Sequence, residues 1–93
     1  MNSPAKIARR FIITGKVQGV NYRRFAATEA YALDITGYAR NLNDGSVEVA
    51  AEGTPINLDL LAQKLSMGPP SARVDNVTAE DIPFTTFRGF VIK

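Results

Sequence analysis

Gly15-Lys16-Val17-Gln18-Gly19-Val20-Asn21-Tyr22-Arg23-Arg24 joins an apolar, β-branched run to a segment with helical periodicity. Upstream, Ile7 to Thr14 reads as a first strand, with Phe11, Ile12 and Ile13 contiguous, and Gly15 is expected to break it. Downstream, Tyr22, Ala26, Ala30 and Leu33 fall on one helical face with Phe25 beside them. Between the two lie two glycines and several free backbone amides, directly before an arginine at a helix N-terminus. Amides pointing outward, a helix dipole and a guanidinium suit a phosphate.

The rest of the chain decides what surrounds that loop. Thr36 to Leu42 and Ser46 to Glu52 flank Asn43-Asp44-Gly45, a strong hairpin signal. The second of these runs alternates apolar with acidic residues, as a half-buried strand does. Thr54-Pro55 then reads as an N-cap followed by proline at the first helical position, with Leu58, Leu61, Ala62 and Leu65 as the core-facing stripe. Met67 to Ser71, with Gly68-Pro69-Pro70, is a loop. Val74 to Ile82, with Val74 and Val77 buried, and Phe87 to Ile92 supply a fourth strand and a short closing one. The order βαββαβ predicts a ferredoxin-like α+β sandwich, an antiparallel sheet with two helices on one face and a short C-terminal strand. In that topology the first two strands run parallel with the third between them. The Gly15–Arg24 loop and the end of the second strand then share one edge, which puts Asn41 beside the loop.

Composition narrows the chemistry. Residues 1–93 make one domain, and 45% hydrophobic with 22% charged residues is ordinary for a globular chain. Eleven basic against nine acidic residues give only +2, and they are scattered, so nucleic acid is not an expected partner. Cysteine and histidine are both absent, which removes thiol nucleophiles, the commonest general base and the usual soft metal ligands. A carboxylate-only Mg²⁺ site is the metal option left, but the acids are dispersed. No metal or cofactor is expected. No apolar stretch approaches a membrane span, and Met1 to Ala5 is a short polar lead rather than a secretory signal. The cytoplasm is therefore the expected location, the membrane no partner, and the Asn76-Val77-Thr78 glycosylation triplet a chance match. The chain is expected to be a monomer.

At the shared edge, the loop amides and Arg23 can hold three phosphoryl oxygens and neutralise charge that spreads in a phosphoryl-transfer transition state. Asn41 can orient a water without taking its proton. Nothing nearby is a strong base, an acid or a nucleophile. The leaving group must then depart unprotonated, which favours a carboxylate over an alkoxide and hence an acyl phosphate over a phosphomonoester.

The segments carrying this chemistry have a family likeness. G-K-V-Q-G-V-N-Y-R resembles the signature of acylphosphatases, small enzymes that hydrolyse carboxyl phosphates. T-G-Y-A-R-N-L-N-D-G-S-V-E-V-A-A-E-G resembles their second signature, and G-P-P-S-A-R-V-D and the closing F-R-G-F-V-I-K also match in order. The resemblance implies a small acyl phosphate as substrate and inorganic phosphate as product and inhibitor. Arg23 would bind the phosphate, Asn41 would position the nucleophilic water, and the amides of Gln18, Gly19, Val20, Asn21 and Tyr22 would form the cradle. It also implies no covalent intermediate. Asn21 and Asp34 stand where many relatives have glycine, and Tyr22 replaces the commoner Phe. Asn is the least costly replacement where φ is positive, whereas the Tyr22 hydroxyl needs a partner.

Two bland alternatives share the fold. RNA-binding modules carry stacked aromatics on their central strands, and here those strands offer no aromatic pair or basic face. A domain that binds an anion without turnover would be expected to lack Arg23 or Asn41, and both are present.

Overall fold

A computed structural model describes residues 5–93; all but the last residue of the polar lead lies outside them. The elements are β1 (Ile7–Lys16), α1 (Tyr22–Ala32), β2 (Thr36–Asn41), β3 (Val47–Gly53), α2 (Pro55–Met67), β4 (Arg73–Ile82) and β5 (Phe90–Ile92). The sheet order is β4-β1-β3-β2-β5. One core holds Phe11 and Ile13 of β1, Val47, Val49 and Ala51 of β3, Tyr22, Ala26 and Ala30 of α1, and Leu58, Leu61 and Leu65 of α2. Both helices therefore pack on the same sheet face, as the ferredoxin-like pattern predicts.

Register fixes the edge that matters. Val47 pairs antiparallel with Ile13 on one side and with Asn41 on the other. Ile13 of β1 and Asn41, the last residue of β2, thus lie level across the sheet, separated only by β3, and β1 runs on to Lys16 beside the same edge. No helix among the described residues is long and apolar enough to cross a membrane.

Five expectations need correction. Gly15 does not end the first strand, because β1 continues through Lys16, paired with Arg73 and Val74 of β4 beyond an irregularity at Thr14/Gly15. Gly15 allows this with φ 128°, and a Cβ there would sit 2.1 Å from the Arg73 carbonyl oxygen. Only glycine can come that close. The sheet is mixed rather than wholly antiparallel, since β5 pairs parallel with β2. That last strand, short as expected, begins at Phe90 rather than Phe87. Val74 and Val77 are half-buried, because β4 is an edge strand.

The fifth correction concerns β3, where every residue is buried, acids included. A central strand with neighbours on both sides can bury carboxylates only if they are satisfied. Glu48, 3% exposed, accepts from Arg10 Nε at 2.5 Å and from Arg40 Nε at 2.9 Å. Burial alone would raise its pKa, but the two guanidiniums outweigh that and hold it below the usual range. Glu52 accepts instead from three backbone amides, those of Thr85, Thr86 and Phe87, at 2.6–3.0 Å. The helix-free face of the central strands shows Arg10, Ile12, Glu48, Ala50 and Glu52, not the aromatic platform of an RNA reader.

Local signals explain the helix ends. Thr54 accepts from the Asn57 amide at 3.3 Å, with Pro55 next. α1 closes in a Schellman arrangement: Ile35 N–H donates to Ala30 O at 2.9 Å and Asp34 N–H to Tyr31 O at 3.1 Å. Asp34 takes the left-handed position itself, at φ 55°. The Tyr22 hydroxyl, in a residue 1% exposed, donates to Leu65 O at 2.6 Å. That carbonyl is in the last turn of α2, where intrahelical donors run out. Burial also pushes the phenol pKa above its ordinary value, so the proton stays on. Tyr22→Phe, although it installs the commoner family residue, is expected to cost about 1 kcal/mol by orphaning that carbonyl. Urea unfolding would read this as a lower midpoint with the slope unchanged; an unchanged midpoint would show that another donor takes over.

Candidate active site

The loop between β1 and α1 is pinned at one end by Val17, a core residue. At the other end Asn21 adopts φ 63°, a left-handed turn that Asn tolerates better than other non-glycine residues. The Asn21 carbonyl accepts from Phe25 N–H at 3.0 Å, which starts the helix. Its side chain does not cap the helix, and the first turn holds no acidic residue. The first-turn amides are therefore left to an outside acceptor at the positive end of the helix dipole.

That turn opens into a cavity of about 310 Å³, walled by Val17, Gly19, Asn21 and Tyr22 from the loop and helix start, Arg23 and Arg24 from α1, Asn41 from β2 and Ile92 from β5. Arg23 and Asn41, eighteen positions apart in sequence, share this one space. The Arg23 guanidinium donates through Nη1 to the main-chain oxygen of Lys93. Guanidinium carries five donors, so one anchored nitrogen leaves others for a ligand. Asn41 is half-buried, and its Oδ1 is buried with no hydrogen-bond partner. A buried acceptor without a protein partner is uncommon, and it is open to a donor from outside the protein. Nor is Asn41 a turn cap. Asp44 takes that task, accepting from Ser46 N–H at 2.9 Å and Ser46 Oγ at 2.5 Å.

The loop residues divide. Gly19, Asn21 and Tyr22 wall the cavity, whereas Gln18 and Val20 do not. Gln18 Nε2 donates to Leu42 O at 2.8 Å and Ser46 O at 2.9 Å, tying the loop to the β2–β3 hairpin. The Val20 carbonyl accepts from Ser71 Oγ at 2.9 Å. Gln18 thus holds the two halves of the site at a set spacing, a task invisible in a motif that reads as backbone. Sequence reasoning also passed over Ile92, which reaches the site only because β5 pairs with β2 through Ala39 and Ile92. Arg24 is exposed, yet it is also a wall of the cavity. Among the described residues no group of three His, Cys, Asp or Glu side chains is arranged to hold a metal ion.

The chain and its fold have close counterparts. Residues 9–92 match the Acylphosphatase family model. An acylphosphatase of Vibrio parahaemolyticus is 45% identical over 83 residues, covering 89% of this chain and 92% of its own length. One from Solibacter usitatus is 45% identical over 91 residues, covering 98% and 94%. The solved structure of an acylphosphatase from Coxiella burnetii superposes with a TM-score of 0.91 at 34% identity, covering 95% of this chain and 93% of that one. With the fold and nearly the full length in agreement, the chain belongs to the acylphosphatase family.

Proposed function

We propose that this chain hydrolyses acyl phosphates to a carboxylate and inorganic phosphate by direct attack of a water on phosphorus. The observation that carries the reading is the unpartnered Asn41 Oδ1 in the same cavity as Arg23 and the uncapped start of α1. The amides of the 18–22 turn, which borders the cavity through Gly19, Asn21 and Tyr22, and the Arg23 guanidinium hold the phosphoryl oxygens and take up charge as the transition state loosens. Asn41 accepts a hydrogen bond from the water and aims its lone pair along the line of displacement. The new P–O bond forms as the bond to the acyl oxygen breaks. The electron pair leaves on a carboxylate, which needs no proton, and the water's proton passes to the released phosphate. Every group named belongs to one chain, so a monomer suffices, and neither metal nor cofactor enters.

Turnover of benzoyl phosphate in excess chelator tests this. Hydrolysis is expected to continue at full rate, with inorganic phosphate competing for the site and competing less well at high salt. Strict dependence on Mg²⁺, or phosphate that does not compete, would sink the proposal.

A further inference from the structure

Direct displacement sets a geometric demand on the acyl group. Attacking and leaving oxygens lie roughly in line through phosphorus, so a water held by Asn41 sends the carboxylate away from Asn41. A second cavity, about 430 Å³, adjoins the site on terms that meet this demand. It runs between α1 and β5, is walled in part by Thr28, Tyr31 and Phe90, and shares Arg24 and Ile92 with the phosphate cavity. Asn41 does not line it. Two further cavities, one at Arg10, Ile12 and Glu80 and one beside Ile7 and Phe84, share no residue with the site.

The surface of this groove is mostly apolar, whereas that of the phosphate cavity is mostly polar. Tyr31 is 85% exposed and Ile92 44%, while Phe90 is half-buried against the core. Arg24, Thr28 and Tyr31 stand four and three residues apart, one face of α1. An exposed tyrosine beside an exposed isoleucine, contiguous with a polar site, is apolar surface that a bound acyl group can cover. Resting on the hydrolytic reading above, we infer that the α1–β5 groove is an acyl-group subsite. Aryl and branched apolar acyl phosphates lay the acyl moiety against Tyr31, Phe90 and Ile92, with Arg24 at the lip between the two cavities. Acetyl phosphate is too short to use it.

The test compares long and short acyl groups on the same variants. Specificity constants are measured for benzoyl phosphate and acetyl phosphate, and dissociation constants for the non-hydrolysable benzoylphosphonate and acetylphosphonate, in wild type, Tyr31→Ala and Thr28→Trp. Removing the aromatic wall, or filling the groove with indole, is expected to lower the benzoyl-to-acetyl ratio about 3- to 10-fold in both measurements. Both positions are exposed on the helix, so folding is not at stake. A ratio that falls by less than about threefold in both variants overturns the subsite. If wild type hydrolyses neither phosphate, the hydrolytic reading fails, and the phosphonate ratio still decides the groove.

Discussion

Asn41→Ala is expected to lower kcat for benzoyl phosphate by about 10²- to 10³-fold, the loss seen when one positioned polar group is removed from a transition state, or roughly 3–4 kcal/mol. The reasoning is local. Asn41 ends β2 level with Ile13 of β1, and its Oδ1 has no protein partner to lose, so truncation removes no structural bond from that oxygen. Inorganic phosphate should inhibit this variant nearly as it inhibits wild type, because the amides and Arg23 remain. Arg23→Ala should cost at least as much, but in a different pattern. KM and the phosphate inhibition constant rise together with the fall in kcat, since the guanidinium serves the bound and the transferring phosphoryl group alike. Arg23→Lys should recover little, because an ammonium cannot anchor on the Lys93 oxygen and also present a planar fork. Near-normal turnover by Asn41→Ala would remove the water-positioning role, whatever became of Arg23.

The two halves of this site differ in how far the sequence announces them. Arg23 follows a glycine-containing turn into a helix, a local signal. Asn41 is legible only through topology: once βαββαβ is recognised, chain crossing alone places the end of the second strand at the first loop. Local chemistry likewise predicts Pro55 at its helix start and Asp44-Gly45 in its hairpin, each set by its own backbone. What stayed hidden depends on partners far away in sequence. The acids of β3 look like a solvated face until Arg10, Arg40 and the amides at 85–87 are known to meet them. Gln18 looks like loop filler until the hairpin carbonyls arrive beneath it. β5 is three residues long, too few for periodicity, yet it brings Ile92 to the cavity. Short-range rules cannot see such pairings, because apart from Arg40 with Glu48 the free energy that fixes them is spread over residues 24 to 70 positions apart.

Glu52 is where that long-range dependence should be most costly to break. Its carboxylate, 2% exposed, gathers the amides of Thr85, Thr86 and Phe87, and so sets the path of the chain between β4 and β5. Thr86 has φ 61°, a left-handed conformation that a β-branched residue adopts only when its surroundings impose it. Beyond this turn, Gly89 O accepts from Gly37 N–H, Lys93 N–H donates to Ala39 O, and Lys93 O meets Arg23. Glu52→Ala removes three hydrogen bonds to a charged acceptor at once. Each is worth about 1.5–3 kcal/mol alone, but Thr85 and Thr86 are exposed, so water can replace part of what is lost. The expected net loss is therefore about 3 kcal/mol rather than the sum, a large share of the roughly 5–15 kcal/mol of a small domain. Glu52→Gln keeps the shape and one acceptor oxygen but turns an NH₂ toward amide donors, so it should fall between wild type and alanine. Urea midpoints that rank wild type above Gln above Ala, with faster proteolysis in the 83–89 segment of the alanine variant, would support this anchor. Equal midpoints for all three proteins would show that β5 pairing alone holds the segment in place.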